Sequence, residues 1–169
     1  MFKNFKSIIL SSVMLVLFFA YNVSATPINT NARVVSSATV SAVDDLNFGL
    51  FSVGVVGGDI TFNAGSSISA DPDVTLLGSE LGGVVTVGGT TLGDNVQVNL
   101  TATDLTGPGT MTIVPDCQLQ GGGGATANLC TYVATGATDT VQVGGVLTVG
   151  ASQPVGVYGG TIEVTAGFF

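Results

Sequence analysis

The feature that most constrains this chain is a series of short stretches in which apolar and polar residues alternate between glycine-rich breaks. Alternation with a period of two is typical of strands that bury one face. Val, Thr and Gly dominate, and helical patterns are nearly missing. The sequence therefore predicts an all-β domain of many short strands, a sandwich or a barrel. The predicted strands cover residues 37–43, 46–53, 59–63, 84–87, 96–102, 109–114, 130–134, 140–149 and 158–168.

The N-terminal residues have the pattern of a secretory signal peptide. Lys3 and Lys6 precede an apolar run over residues 8–20, and small residues follow up to Ala25. The run is shorter than the roughly 20 residues that a membrane-spanning helix needs. The pattern predicts a signal peptide over residues 1–25, cleaved after Ala25, and no membrane span after cleavage.

The rest of the chain has no break that looks like an interdomain linker. We expect an N-terminal extension over residues 26–36, followed by a single β-sandwich domain over residues 37–169. Export would carry the two cysteines, Cys117 and Cys130, into an oxidising compartment, so we predict that they form one disulfide. A chain without histidine and with only two cysteines does not offer a convincing zinc site.

Composition argues against most enzymes and against two classes of partner. After cleavage, Arg33 is the only cation among 11 acidic residues, so neither nucleic acid nor an anionic membrane is an expected partner. Without histidine, and without lysine beyond residue 6, Ser-His or Cys-His catalysis and a Walker loop are impossible. We predict that the protein is not an enzyme and has no catalytic residues, cofactor or metal.

Two alternatives to that prediction rest on acidic residues. Asp44-Asp45 or the pair Asp71 and Asp73 could supply calcium ligands, although we favour the interpretation that these residues form solvated turns and strand ends. Composition also leaves room for a glycosidase with two carboxylates, but the chain lacks the tryptophan on which sugars usually stack.

Several strand and turn motifs resemble a bacterial family of secreted domains of unknown function. They are LNFG at 46–49, GDITF at 58–62, GTMT at 109–112, VGGVLTVGA at 143–151 and GVYGGTIEVT at 156–165. That family is similar in turn to spore coat protein U-like proteins and to chaperone–usher pilins. The resemblance implies an immunoglobulin-like sandwich that lacks its final strand. A periplasmic chaperone, and then the N-terminal extension of the next subunit, fills the gap in such proteins.

The resemblance also implies an interface at the C-terminal end of the chain. Gly156 and Phe168 match the glycine and the penultimate aromatic residue that pilins use in chaperone recognition, with Phe replacing the commoner Tyr. Alternation adds further inward positions to the predicted last strand. The predicted interface comprises Gly156, Ile162, Val164, Ala166 and Phe168. A disulfide between Cys117 and Cys130 would join late strands, whereas typical pilins tie their first strands together.

The extension over residues 26–36 has the pattern that a donated strand requires. Its predicted groove-facing residues are Ile28, Thr30, Ala32 and Val34, with Asn29, Asn31 and Arg33 on the opposite face. A strand added from another chain gains main-chain hydrogen bonds and places alternate side chains in pockets. The alternative is that this segment forms the first strand of its own sandwich.

We therefore predict a structural subunit of a bacterial surface fibre or pilus, exported through the periplasm and assembled non-covalently by strand donation. Expected partners are copies of itself or related subunits, a periplasmic chaperone and an outer-membrane usher. The alternative function is a monomeric secreted or surface-attached binding domain, such as an adhesin, that completes its own sandwich.

Overall fold

A computed structural model describes residues 37–65, 67–121 and 126–169. These residues form strands and turns with no α-helix, which confirms the predicted all-β class. The predicted signal peptide and N-terminal extension lie outside the described residues. The strands in chain order are β1 (Thr39–Asp44), β2 (Leu50–Val53), β3 (Gly58–Phe62), β4 (Ile68–Ala70), β5 (Val74–Gly78), β6 (Gly83–Gly88), β7 (Asn95–Ala102), β8 (Leu105–Thr106), β9 (Thr110–Leu119), β10 (Thr126–Ala127), β11 (Leu129–Val133), β12 (Thr138–Val149) and β13 (Ile162–Phe168).

The long strand β12 organises the larger sheet. Its first half pairs with β6 and its second half with β3, end to end along one edge, while β9 pairs along the other edge. β1 extends the sheet beyond β6, and β4 extends it beyond β3. The change of partner falls at Gly144, where a Cβ atom would overlap the carbonyl oxygen of Phe62. All these pairings are antiparallel.

A smaller sheet packs against the larger one. Its central strand β7 pairs with β11 on one side and with β13 on the other, both antiparallel. The β13 register runs from Ile162 opposite Ala102 to Phe168 opposite Val96. β2 and β5 form a separate two-stranded ribbon. Within the described residues, β13 is hydrogen-bonded to another strand along one edge only.

Alternation along the strands builds two core clusters. The first lies between the sheets and includes Val85 and Val87 of β6, Val96, Val98 and Leu100 of β7, and Val141 and Val143 of β12. The second gathers Phe48, Ile60, Val74, Met111, Ile113, Leu147 and Val149. Burying these side chains supplies the main favourable term in folding.

Strand boundaries differ from the prediction in several places, and β9, for example, continues to Leu119 instead of ending at Val114. Residues 46–53 are not continuous strand, because Asn47 accepts a hydrogen bond from the amide of Gly49 (2.8 Å) and Gly49 has a φ of 73°. The last strand begins at Ile162 rather than at Tyr158, whose hydroxyl donates to the carbonyl of Pro154 in a loop (2.6 Å). The prediction also missed the short strands β4, β5, β8 and β10.

Candidate functional site

One side of the sandwich is closed by a disulfide between the sheets. Cys117 of β9 and Cys130 of β11 are bonded, with their Cα atoms 5.9 Å apart, as predicted. Both are buried within the first core cluster. Asn128 adds backbone bridges: its amide donates to Pro115 of β9, and its carbonyl accepts from Leu100 of β7, each over 2.9 Å. We call this the β9–β11 side.

The opposite side of the sandwich is open. β1 is the outer strand of the larger sheet and β13 is the outer strand of the smaller one, and no backbone pairing joins them. A cavity of about 1040 Å³ lies where β1 ends and β13 begins, and residues 45–53 and 153–161 also line it. We call this space the groove, and its location the β1–β13 side. Side chains lining it include Ala42, Val85, Met111, Ile113, Val143, Leu147, Ile162 and Val164.

The floor of the groove is apolar core. Leu147 is 1% exposed, Met111 3% and Val143 4%, so these side chains are well packed although the cavity reaches them. The cavity reaches Ala42 of β1 and Ile162 and Val164 of β13, and we call this end of the groove its wide end. Toward the other end, Val40 of β1 converges with the last residues of β13 on the first core cluster. An extended apolar segment would find main-chain hydrogen-bonding groups on the wall and apolar contacts below.

β13 presents one face to this site. Its inward residues are Ile162, Val164, Ala166 and Phe168, which are half-buried and pack on the first core cluster. Glu163 and Thr165, which alternate with the inward residues, are exposed. The structure thus places the predicted interface residues of β13 together on one face.

Gly156 lies in the loop between β12 and β13 and lines the same groove. A Cβ atom at this position would overlap the ring of Pro108. Glycine therefore has a local packing role here, since it lets the loop approach the turn after β8. Its predicted part in chaperone recognition stays a prediction.

Acidic side chains collect at the wide end of the groove. Asp44 and Asp45 line it, Glu163 projects from the outer face of β13, and Asp104 follows β7 nearby; all four are exposed. No lysine or arginine occurs in residues 37–169, so no side-chain cation of the described residues offsets this charge. The wide end is therefore strongly negative and would favour a cationic group on an incoming chain.

The other acidic pair considered for calcium serves as backbone acceptors. Oδ2 of Asp73 accepts from the amides of Val56 (2.8 Å) and Gly57 (2.9 Å), and Oδ2 of Asp71 accepts from the amide of Asp59 (3.0 Å). These bonds hold the turn before β3 against the turn before β5. Across the described ranges, no three His, Cys, Asp or Glu side chains are grouped to hold a metal ion.

Two polar groups outside the groove have raised pKa values. Burial, and then the charge of Asp139, raises the pKa of Tyr132 to about 12. Burial also raises the pKa of Asp116, against the lowering effect of hydrogen bonds from the amides of Ala64 and Gly144. Asp139 itself is buried and accepts from the amide of Thr135 (3.0 Å). Asp139 thus holds the loop before β12, whereas the buried Tyr132 hydroxyl has no hydrogen-bond partner among the described residues.

Sequence patterns missed how the groove is assembled. Alternation in residues 109–114 and 140–149 indicated buried faces, but not that Met111 and Leu147 would share a floor below β13. That arrangement depends on the pairing of β9 and β12 and on the packing of two sheets. The sequence indicated only one part of the groove, its β13 wall, through the apolar alternation of the predicted last strand.

These features define a class: a two-sheet β-sandwich that is closed by a disulfide on one side and open along a groove on the other. Residues 38–168 match the family model described as "Domain of unknown function (DUF4402)", and the chain belongs to this family. No curated protein and no solved structure matches the chain significantly. In the described part of the chain, no helix has the length and apolar character needed to cross a membrane.

Proposed function

We propose that this protein is a structural subunit of a bacterial surface fibre, in which each copy inserts an N-terminal strand into the groove of the next. The observation that carries the proposal is the groove itself: an apolar floor beneath an outer strand, β13, whose second edge is not paired with any strand the structure describes. Uncovered apolar sheet edges promote aggregation, so a stable exported protein needs something to cover this one.

The segment over residues 28–34 matches β13, one wall of the groove, in length and pattern. It has as many residues as β13, about 23 Å when extended, and its apolar positions alternate as those of β13 do. Main-chain bonds along the free edge of β13 would give affinity, and the apolar floor would take the side chains of Ile28, Ala32 and Val34. The resemblance to chaperone–usher pilins and spore coat protein U-like proteins supports the same reading.

Export, a periplasmic chaperone and an outer-membrane usher belong to this proposal. A subunit released with an open groove would expose its apolar floor, so a chaperone strand would have to occupy the groove before the next subunit does. The sequence offers a signal peptide for export, and the assembled protein would lie at the cell surface. No enzymatic step is required at any stage.

The test is deletion of residues 26–35. The intact exported protein should give a ladder of oligomers on unboiled gels, and the deleted form should be a folded monomer that binds a peptide of residues 26–36. The matched control is the same peptide carrying Ala32→Asp, which places a charge over the apolar floor and should bind at least about a hundredfold more weakly. A stable monomer from the native surface, with residues 28–34 paired in its own sheet, would contradict the proposal.

The alternative, a binding domain that completes its own sandwich, is favoured by one observation. Residues 35–38 separate the segment from β1, and a loop of that length can close a hairpin. Such a hairpin strand would have to run antiparallel to β1. That direction would place Arg33 far from the acidic end of the groove.

A further inference from the structure

The two walls of the groove run in opposite directions. Thr39, at the start of β1, is paired with Gly88, and a short loop leads from there to Asn95, which lies beside the end of β13. The end of β1 at Asp44 therefore lies at the same end of the sandwich as Ile162, where β13 begins, and both line the groove. Any strand between these walls is parallel to one and antiparallel to the other.

The charges distinguish the two possible directions. The only cation after the predicted signal peptide, Arg33, lies next to the C-terminal end of the donor segment. In a donor antiparallel to β13, Arg33 reaches the wide end, where Asp44, Asp45 and Glu163 are exposed. In a donor parallel to β13, it reaches the opposite end of the groove.

Two acidic side chains at that opposite end, Asp94 and Asp139, accept hydrogen bonds from backbone amides. Asp94 is 4% exposed and accepts from the amide of Thr91 (2.8 Å), and Asp139 is 3% exposed and accepts from the amide of Thr135 (3.0 Å). Neither is placed to meet a cation on the solvent face of an added strand. Charge complementarity therefore favours the antiparallel direction, which a hairpin within the same chain cannot adopt.

The antiparallel direction also selects a register. The four inward residues of the segment can be matched one to one with the four inward residues of β13. This alignment sets Ile28 opposite Phe168, Thr30 opposite Ala166, Ala32 opposite Val164 and Val34 opposite Ile162. Arg33 then falls directly opposite Glu163, on the solvent face. A slide of two residues places Arg33 opposite a threonine, and a slide of one turns the apolar face outward.

We propose that Arg33 of one copy pairs with Glu163 of the next, with Asp44 and Asp45 beside them, and that this pair fixes the direction and register of the donated strand. The inference rests on the proposed strand donation and adds its geometry. Opposite charges that face each other on antiparallel strands favour that pairing, and the negative end of the groove attracts the cation before contact. Docking then begins at the wide end, with Val34, and proceeds toward the narrow end.

The register is tested by disulfide trapping in the exported full-length protein. Asn31→Cys combined with Thr165→Cys should crosslink neighbouring copies, because these positions face each other in the proposed register. Asn29→Cys with Thr165→Cys is the matched control, displaced by two residues on the same face, and should crosslink at least about tenfold less. Crosslinking mainly in the control pair, or within a single chain, would overturn the proposal.

The charge pair is tested by reversal. Arg33→Glu and Glu163→Arg should each slow reassembly of dissociated protein by about tenfold at low ionic strength, and the double variant should recover part of that loss, because Asp44 and Asp45 still disfavour an acidic residue at position 33. The effect should shrink in high salt, where exposed charges are screened. Unchanged reassembly rates in all variants would contradict the proposed pairing of Arg33 with Glu163 without contradicting strand donation. If the unsubstituted protein forms no oligomer, both proposals fail.

Discussion

The two sides of this sandwich close the same gap between sheets in different ways. On the β9–β11 side, a disulfide and the backbone of Asn128 join the sheets through the chain itself. On the β1–β13 side, no backbone pairing joins β1 to β13, and at the wide end they leave a groove. The contrast teaches that the domain fixes the spacing of its sheets at one side, so that the other side can stay open without the core coming apart.

The first prediction asks whether the floor of the open side is as well packed as an ordinary core. Leu147→Ala should lower the free energy of unfolding by about 4 kcal/mol, because it leaves a cavity below the groove. Urea denaturation measures the change. Leu92→Ala, at a position 75% exposed, is the control and should change stability by less than about 0.5 kcal/mol. A cost below about 1 kcal/mol for Leu147→Ala would mean that the floor is loosely packed.

The second prediction concerns removal of the disulfide on the β9–β11 side. Replacing both cysteines, Cys117→Ala with Cys130→Ala, should lower stability by about 3 kcal/mol, because the bridge no longer restricts the unfolded chain. The sandwich should still form, since most core strands lie outside the 13-residue separation of the bridge. Circular dichroism would report the retained sheet, and urea denaturation the loss. Complete loss of sheet signal would show that the disulfide is needed for folding itself.

The third prediction concerns the loop at the wide end of the groove. Gly156→Ala should cost about 2 kcal/mol, because the new methyl group would overlap the ring of Pro108. The double variant with Pro108→Ala removes the obstacle and should recover most of that loss, which thermal denaturation can measure. Gly159→Ala is the control, because a Cβ there meets no atom within 4 Å. If Gly156→Ala and Gly159→Ala lowered the stability equally, Gly156 would have no special packing role.

The smallest expected effect is at Tyr132, which lies in β11 on the closed side. Its pKa is raised to about 12, so the folded state holds the phenol proton more tightly than the unfolded state does. The resulting stability is present below the ordinary pKa of about 10 and is lost as pH rises from there to about 12. In a Tyr158→Phe variant that begins at residue 26, and so lacks Tyr21, phenolate absorbance follows this titration. Asp139→Asn should lower the midpoint, and an unchanged midpoint would assign the shift to burial alone.

How far the fold could be predicted depended on whether the governing interactions were local. Alternation identified β6, β7, β12 and most of the core, because the period of two reports a buried face directly. Asp71 and Asp73 were interpreted as turn residues or calcium ligands, with no strand on either side, so β4 and β5 were missed. β9 was ended before Pro115, yet it continues to Leu119, and the carbonyl of Pro115 accepts from Asn128.

The candidate site was predictable only in part. The disulfide followed from export and from the number of cysteines, and the inward face of β13 followed from its alternation. The opposing wall β1, the floor and the acidic wide end required knowledge of which strands become neighbours. Those pairings join residues far apart in sequence, such as Val85 and Val141, and no local pattern specifies them.

The opposite directions of β1 and β13 have a mechanical consequence for an assembly of the proposed kind. A donor that runs toward the wide end of one copy continues through residues 35–38, about 13 Å when extended, into β1 at the narrow end of the copy that supplies it. Copies would then follow one another head to tail along the strand direction. Tension on such a filament would act along the donated strand and load its hydrogen bonds in shear, all at once, instead of peeling them apart singly.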